Sequence, residues 1–585
     1  MRAPLALLLA AALVLTSCVS SGDSSQVCTP EDGRSVARLW NEAALDAIRR
    51  DFPAPTVHAR NLFHLSVAMW DTWAVFDPDA TGYLFTPDAV LFDEAADRDA
   101  AIAFAAHTVL TERYAIAVGA EESLAAFDAL LIELCLDPDE PDRFGVAVGE
   151  RVLDASADDG SNEGDVYVAD FEVVNQPMVF DEPGTTMVDP NRWQQLEFEI
   201  AMTQNGQLLE SNVQDYVGPH WGFVTPFALA PDPVDGLPID PGPPPLFDTP
   251  TQERFEDAAV DVVRASASLD PGDGVTIDIG PGARGDNPLG TDDGDGHDVN
   301  PATGEPYEPN VVLAGDFYRV VAEFWADGPD SETPPGHWNT LANQASDALA
   351  ATGELRIGGT GDPVDRLEWD LTTYFALNGA LHDAAIAAWG AKAHYDYARP
   401  ISMIRYLAGV GRLPPEPGLV EPISAESSAP GERHAHLTDH VGEAAVWAWA
   451  PEPVFFGEEL TPVRWILASE WIPYQRRTFV TPAFPGYVSG HSTFSRAAAE
   501  VLTELTGSPF FPGGIGTHIV EELEFEDGPT EPVELQWATY RDAADEAGRS
   551  RIYGGIHVEA DDLAGRTMGA EVGRNAWALA VTYLG

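Results

Sequence analysis

Lysine is nearly missing from this 585-residue chain: of 31 basic residues, 30 are arginine, and Lys392 is the single ammonium side chain. Basic charge is scarce as a whole. Acidic residues number 95, so the formal net charge is −64 and the pI about 4.2. That balance excludes non-specific nucleic-acid binding, which rests on cationic neutralisation of phosphates, and docking on an anionic membrane surface. Cysteine is scarce too, and three residues build no disulfide scaffold. Beyond the N-terminus no apolar run approaches 18 residues, so no bilayer-spanning helix is expected. What is present is globular: 45% hydrophobic and 10% aromatic residues, in a length that suits two to four cores.

The N-terminus reads as an export signal. One arginine precedes the apolar run Leu5–Leu15, which is long enough for a signal-peptide core and too short to span a bilayer. Leu15-Thr16-Ser17-Cys18 is similar to a bacterial lipobox. That similarity implies cleavage before Cys18, a lipid on its sulfur and anchoring at the cell envelope; the alternative is an ordinary secretory signal. Cys28 and Cys135 remain, and an oxidising compartment permits one bridge between them.

The expected organisation is a signal peptide over 1–17, a tether over 18–30, an N-terminal helical region over 31–230, an acidic Pro/Gly-rich connector over 231–312 and a catalytic helical domain over 313–585. Helical periodicity marks Gly33–Asp51, Thr56–Trp73, Asp93–Val118 and Ala120–Leu136. Val166–Phe180 carries β-branched alternation and is expected as a hairpin. Residues 231–250 hold eight prolines, which excludes regular structure there. Asp292, Asp293 and Asp295, spaced by glycine, resemble an oxygen cage for calcium but lack a full EF-hand loop; a solvated acidic loop is the alternative. Helices return at Asp316–Trp325, Leu371–Tyr397, Glu443–Trp449, Thr461–Trp471, His491–Thr506, Leu535–Ala547 and Asp561–Tyr583. The fold class is all-α: two helical bundles, few short strands, and an oxyanion site in the C-terminal bundle.

Three segments there hold polar residues that helices do not require. Lys392 and Arg399, seven apart, fall on nearly one helix face, with Pro400 expected to stop that helix. Ser489-Gly490-His491 opens a helix, and a hydroxyl, an uncovered amide and a helix N-terminus together seat an anion. In Arg551–Asp561, Gly554 and Gly555 let the backbone turn between Arg551 and His557, and Asp561 can hold the His557 imidazole in one tautomer. One ammonium, two guanidiniums, a hydroxyl, an amide and two imidazoles suit a tetrahedral oxyanion that becomes trigonal-bipyramidal. His434, His436 and His440 have ligand-like spacing for zinc, but a polar loop is the simpler reading.

The three motifs, K-x6-R-P, S-G-H and S-R-x5-H-x3-D, resemble the signature shared by vanadium-dependent haloperoxidases and acid phosphatases of the type 2 phosphatidic acid phosphatase superfamily. The resemblance implies an all-α core with vanadate or phosphate in the site. Lys392, Arg399 and Arg551 would neutralise the oxyanion, Ser489 and the Gly490 amide would donate to it, and His491 would be the acid–base residue. His557 would bind vanadium, or attack phosphorus in a phosphatase. Val488 departs from the proline usual before Ser-Gly-His. Trp389 matches a tryptophan that haloperoxidases place beside the cofactor, and Phe484 resembles the position where chloroperoxidases carry Phe and algal bromoperoxidases His. Phe324–Gly328 resembles the segment whose aspartate pairs with the site's cations, which makes Asp327 the candidate and Asp330 the second. The implied reactants are halide, hydrogen peroxide and an organic acceptor. Rival classes are a secreted acid phosphatase working through a phosphohistidine and a non-catalytic anion-binding lipoprotein. Oligomeric state has no signature here.

Overall fold

The computed structural model describes residues 28, 33–85, 95–202, 208–209, 211–326, 328, 331–450, 452–477 and 480–585, with side chains of 95–97 left aside. Cys18, Asp327 and Asp330 lie outside the described residues, and with them the lipid-anchor and site-aspartate expectations.

Five helices open the described chain: α1 (Val36–Arg50), α2 (Pro55–Ala74), α3 (Ala95–Tyr114), α4 (Ala120–Glu133) and α5 (Arg143–Ser156). Their starts follow local chemistry. Ser35 caps α1 by accepting from the Arg38 amide, Pro55 begins α2, and Asp142 caps α5. A Cys28–Cys135 disulfide ties the segment before α1 to the end of α4. The expected hairpin over Val166–Phe180 does not form. Only β1 (Met178–Val179) is extended there, and it pairs in parallel with β2 (Leu196–Glu197).

The acidic stretch is less bare than its composition suggests. After the proline-rich 231–250 comes α6 (Gln252–Ala267), which buries Phe255, Ala259, Val262 and Val263 on one face. Strand β3 (Thr276–Asp278) then pairs antiparallel with β4 (Val311–Leu313). Helices α7 (Ala314–Phe324), α8 (Thr333–Thr352), α9 (Arg366–Tyr395) and α10 (Pro400–Gly409) follow.

Two expected helices are strands. Glu443–Trp449 and Thr461–Trp471 hold β6 (Ala444–Trp449) and β7 (Val463–Leu467), which form an antiparallel sheet with β5 (Val420–Pro422). Aromatic and β-branched residues in runs of five or six satisfy a strand better than a helix, which needs roughly ten or more residues to cohere. The chain closes with α11 (Gly490–Thr506), β8 (Gly516–Val520), β9 (Val533–Trp537), α12 (Tyr540–Tyr553) and α13 (Glu559–Ala580). Leu535–Ala547, expected as one helix, is therefore the end of a strand and the start of α12, divided at the Thr539 cap.

The hydrophobic core is continuous from α1 to α13. Its axis is α9, buried from Trp369 to Lys392, with Phe375 stacked on Trp70 of α2. Its other side meets α11 and α13. No described helix is long and apolar enough to cross a membrane.

Candidate active site

The three motifs converge where α9 ends, α11 begins and α12 turns into α13. Lys392 is in the last turn of α9, fully buried. Its Nζ donates to the carbonyls of Pro485 (2.9 Å), Gly486 (3.0 Å) and Val488 (2.5 Å), and so pins the strap that leads into α11. Arg399 is not on the Lys392 helix. Asp396, in left-handed conformation, ends α9; Arg399 is the N-cap of α10, and Pro400 starts that helix instead of stopping the earlier one. The turn returns Arg399 to the same place. Its Nε donates to the Phe484 carbonyl (2.9 Å), and its Nη1 donates to the Ile556 carbonyl (2.8 Å) and lies 3.1 Å from His557 Nε2.

Ser489 caps α11 by accepting from the Ser492 amide, so Gly490 is the first helical residue. Its amide is one of those a helix leaves without an intrahelical partner. Across from it, α12 ends after Arg551, and Gly555, at φ +73°, turns the chain to His557. His557 Nδ1 donates to Asp561 Oδ2 at 2.8 Å, and the same oxygen accepts from the Val558 amide. That fixes the tautomer: Nδ1 carries the proton, and Nε2 presents its lone pair toward Arg399. The Asp561 carboxylate thus holds the His557 ring in one orientation.

The aromatic wall is also assembled. Trp389 packs on Phe484 with centroids 4.8 Å apart, and its Nε1 donates to the Val217 carbonyl. Lys392 Nζ lies 5.0 Å and the Arg399 guanidinium 5.1 Å from the Phe484 centroid.

Burial and like charge set the ionisation. Burial, reinforced by Arg399, pushes the Lys392 amine well below its ordinary range. Burial pulls Arg399 down to about 9 against the attraction of Asp561. His557, buried beside Arg399 and Lys392, is held well below the usual imidazole range, and His491 likewise by burial and Arg551. Burial raises Asp561 to about 7, opposed by Lys392. A cluster of cations in low dielectric favours a bound anion, which would relieve each of these penalties on the basic groups.

Two partners here carry no sequence signature because they are backbone carbonyls. His491 Nε2 donates to Trp325 O at 2.8 Å, and Arg551 Nη2 donates to Ala322 O at 2.6 Å. Both carbonyls belong to the C-terminal end of α7, where a helix leaves acceptors unused. A water-sized cavity of about 10 Å³ lies beside His491, lined by Trp325, Thr333, Pro334, His337 and Trp338.

Outside this centre, the calcium expectation is not sustained. Asp292 pairs with Arg549 and Arg566, Asp293 accepts from Thr291, and no metal-ligating cluster occurs among the described residues. His434, His436 and His440 bond separately to Ser427, the Trp465 carbonyl and Glu443.

Residues 372–585 match the family model of the VCPO second helical-bundle domain. No curated protein matches the chain. Among solved structures, the holo-type bacterial vanadium-dependent chloroperoxidase aligns over 93% of this chain and 96% of its own, at TM-score 0.59 and 16% identity. The apo-type structure aligns over 90% and 94%, at TM-score 0.58 and 16% identity. A bacterial vanadium-dependent iodoperoxidase aligns over 94% and 96%, at TM-score 0.54 and 17% identity. The chain thus has the helical fold of the vanadium haloperoxidases, and its residues 372–585 carry that family's second helical-bundle domain. That segment includes all three motifs.

Proposed function

We propose that the chain is a vanadate-dependent haloperoxidase that oxidises halide with hydrogen peroxide to hypohalous acid. One observation carries the reading: Lys392, Arg399 and His557 meet in one buried cluster, with His557 Nδ1 tied to Asp561 so that Nε2 is left to ligate. The residues fit an oxyanion. Arg399 Nη2 is buried and has no protein partner, which suits a donor awaiting a ligand oxygen. The likeness to chloro- and iodoperoxidases over more than nine-tenths of both chains supports this reading over a phosphatase.

Vanadate bound there supplies a Lewis-acidic centre that activates peroxide toward halide without a change of oxidation state. The protein's tasks are electrostatic. Lys392, Arg399 and Arg551 would neutralise the bound oxyanion, with Lys392 polarising it through its charge. Ser489 and the Gly490 amide would orient it. His491 keeps its Nε2 proton on the Trp325 carbonyl, which makes Nδ1 the atom that takes up and hands on a proton. The net reaction, halide plus peroxide plus one proton giving hypohalous acid and water, needs such a group. Trp389 and Phe484 keep bulk water from one side.

The test is an assay pair on purified protein: halogenation of a phenolic dye with vanadate and peroxide, against hydrolysis of an aryl phosphate. Halogenation that disappears in His557→Ala, with helical circular dichroism unchanged, is the expected result. Phosphate hydrolysis without halogenation would move the chain to the phosphatase branch, and full activity of His557→Ala would overturn the site.

A further inference from the structure

We propose that Glu546 is a positioning residue for His491, acting through Trp325. The proposal rests on His491 being the acid–base group.

Glu546 lies on α12, five residues before Arg551, at the wall of a cavity of about 250 Å³ between α12 and the acidic stretch. One of its oxygens, Oε1, accepts two indole protons: from Trp325 at 3.1 Å and from Trp537 at 2.9 Å. Three other carboxylates on or near these helices face guanidiniums. Asp562 faces Arg566, Glu500 faces Arg496, and Glu526 faces Arg319. Glu546 is instead committed to two neutral aromatic donors, one of which borders the active site.

Trp325 caps α7 and is nearly fully buried. Its amide closes onto the carbonyls of Glu323 and Val321, and its own carbonyl receives His491 Nε2 at 2.8 Å. Its ring stacks on His337, 4.7 Å away, and lines the small cavity beside His491. The Ala322 carbonyl, one turn back, receives Arg551. Carbonyls three residues apart in one turn move together. Any rotation of that turn therefore misplaces the acceptor for His491 and the acceptor for Arg551 at once. The side-chain bond that resists this rotation at the cap is Trp325 Nε1 to Glu546. Helix α12 thus supplies Arg551 and also fixes the turn that receives it. His557 is oriented by a carboxylate directly, through Asp561; His491 is oriented by one at a distance, with an indole and a carbonyl between.

The experiment uses the full-length, vanadate-loaded protein with Glu546→Leu, Glu546→Gln, Trp325→Phe and the Glu546→Leu/Trp325→Phe double variant. Glu546→Leu should lower kcat for halide oxidation about ten- to hundredfold, as small misplacements of an acid–base group do, with the halide KM little changed. Its kcat–pH profile should shift, because His491 loses a fixed acceptor. Glu546→Gln keeps an oxygen for both indoles and should recover most of the loss. Trp325→Phe should reproduce the loss, and the double variant should be no worse than either single. Wild-type kcat and pH profile in Glu546→Leu, or additive losses in the double variant, would overturn the proposal. If Glu546→Leu does not fold, Trp325→Phe against Glu546→Gln makes the same comparison. A second readout does not depend on turnover. In protein labelled with ¹⁵N-histidine, with the His491 signal identified by its loss in His491→Gln, wild type should show a single Nε2–H tautomer and Trp325→Phe or Glu546→Leu a mixture. An unchanged tautomer signal sinks the positioning role even if the haloperoxidase reading stands; absent halide oxidation with the expected tautomer change sinks that reading and leaves the positioning intact.

Discussion

A lone ammonium in an arginine-rich chain has its physical reason at Lys392. Three carbonyl oxygens from one strap surround its Nζ, an arrangement that a tetrahedral donor satisfies and a planar guanidinium does not. A buried ionisable group away from the site bears on how the fold tolerates acid. His382, in the middle of α9, is fully buried, stacks on Phe63 with centroids 4.9 Å apart and meets the Thr225 carbonyl at 3.0 Å. Burial brings its pKa down to about 4, with Arg60 lowering it further and the Thr225 carbonyl and Asp159 opposing. The folded value lies below the ordinary 6.5. The neutral ring's stability is therefore fully present above pH 6.5 and is lost as pH falls from 6.5 toward 4. The span corresponds to about 3 kcal/mol. His382→Gln, which keeps a donor for the Thr225 carbonyl, should lose less stability than wild type between pH 7 and pH 4.5. Denaturant melts of both proteins at both pH values measure it; equal losses would mean that His382 does not titrate in that window.

At the scale of elements, the site depends on how closely α13 packs on α11. Gly565, Gly569 and Gly573 form a stripe at helical spacing on α13. A Cβ at Gly569 would lie 2.4 Å from the Thr493 carbonyl oxygen, and one at Gly573 would lie 2.4 Å from that of Ala497. The stripe brings Asp561, at the head of α13, against Ser489, at the head of α11; the Ser489 amide donates to the Asp561 carbonyl at 2.9 Å. Gly569→Ala gains about 1 kcal/mol of helix propensity. It meets backbone that cannot yield without moving α11, so overpacking of about 3 kcal/mol outweighs the gain. The expected result is a net loss of about 2 kcal/mol with reduced kcat, read from denaturation midpoints and initial rates; a variant as stable as wild type would show that the two helices separate freely. This packing also marks what the sequence disclosed. The motif side chains stand out because helices have no use for a Lys, an Arg or a Ser-Gly-His at those positions, and the helix over Leu371–Tyr397 is marked by its length and alanine content. The Trp325 and Ala322 carbonyls were hidden, because every residue has a carbonyl and only the fold decides which one faces the site. Short buried runs such as Ala444–Trp449 have no period long enough to separate strand from helix. Pro400 is ambiguous in the sequence because proline both ends one helix and begins another.

For the whole molecule, charge decides the response to salt. The 31 basic charges cancel as many acidic ones, so of 95 acidic charges 64 remain in excess. Surface pairs such as Arg264–Glu416 and Arg264–Asp261 are exposed, and salt weakens them, but each such pair is worth only about 0–1 kcal/mol. The excess acids repel one another and any halide or vanadate that approaches, and this repulsion acts over distances that salt erases first. The Debye length falls from about 10 Å at 0.1 M to about 3 Å at 1 M. An anion seated against the buried Lys392, Arg399 and Arg551 would meet their charge at short range, which salt screens far less. Screening therefore relieves more repulsion than it removes attraction, and it does so for folding and for anion entry alike. At fixed halide, sodium nitrate should raise both the apparent unfolding midpoint and the halogenation rate, with a plateau near about 1 M, where the Debye length is shorter than a side chain. Nitrate is chosen because, on the proposed function, phosphate would compete for the oxyanion seat and halide would be substrate. A midpoint that rises while the rate falls would place nitrate itself in the seat. A steady fall of both from the lowest nitrate concentration would show that the ion pairs, and not the acid excess, govern this surface.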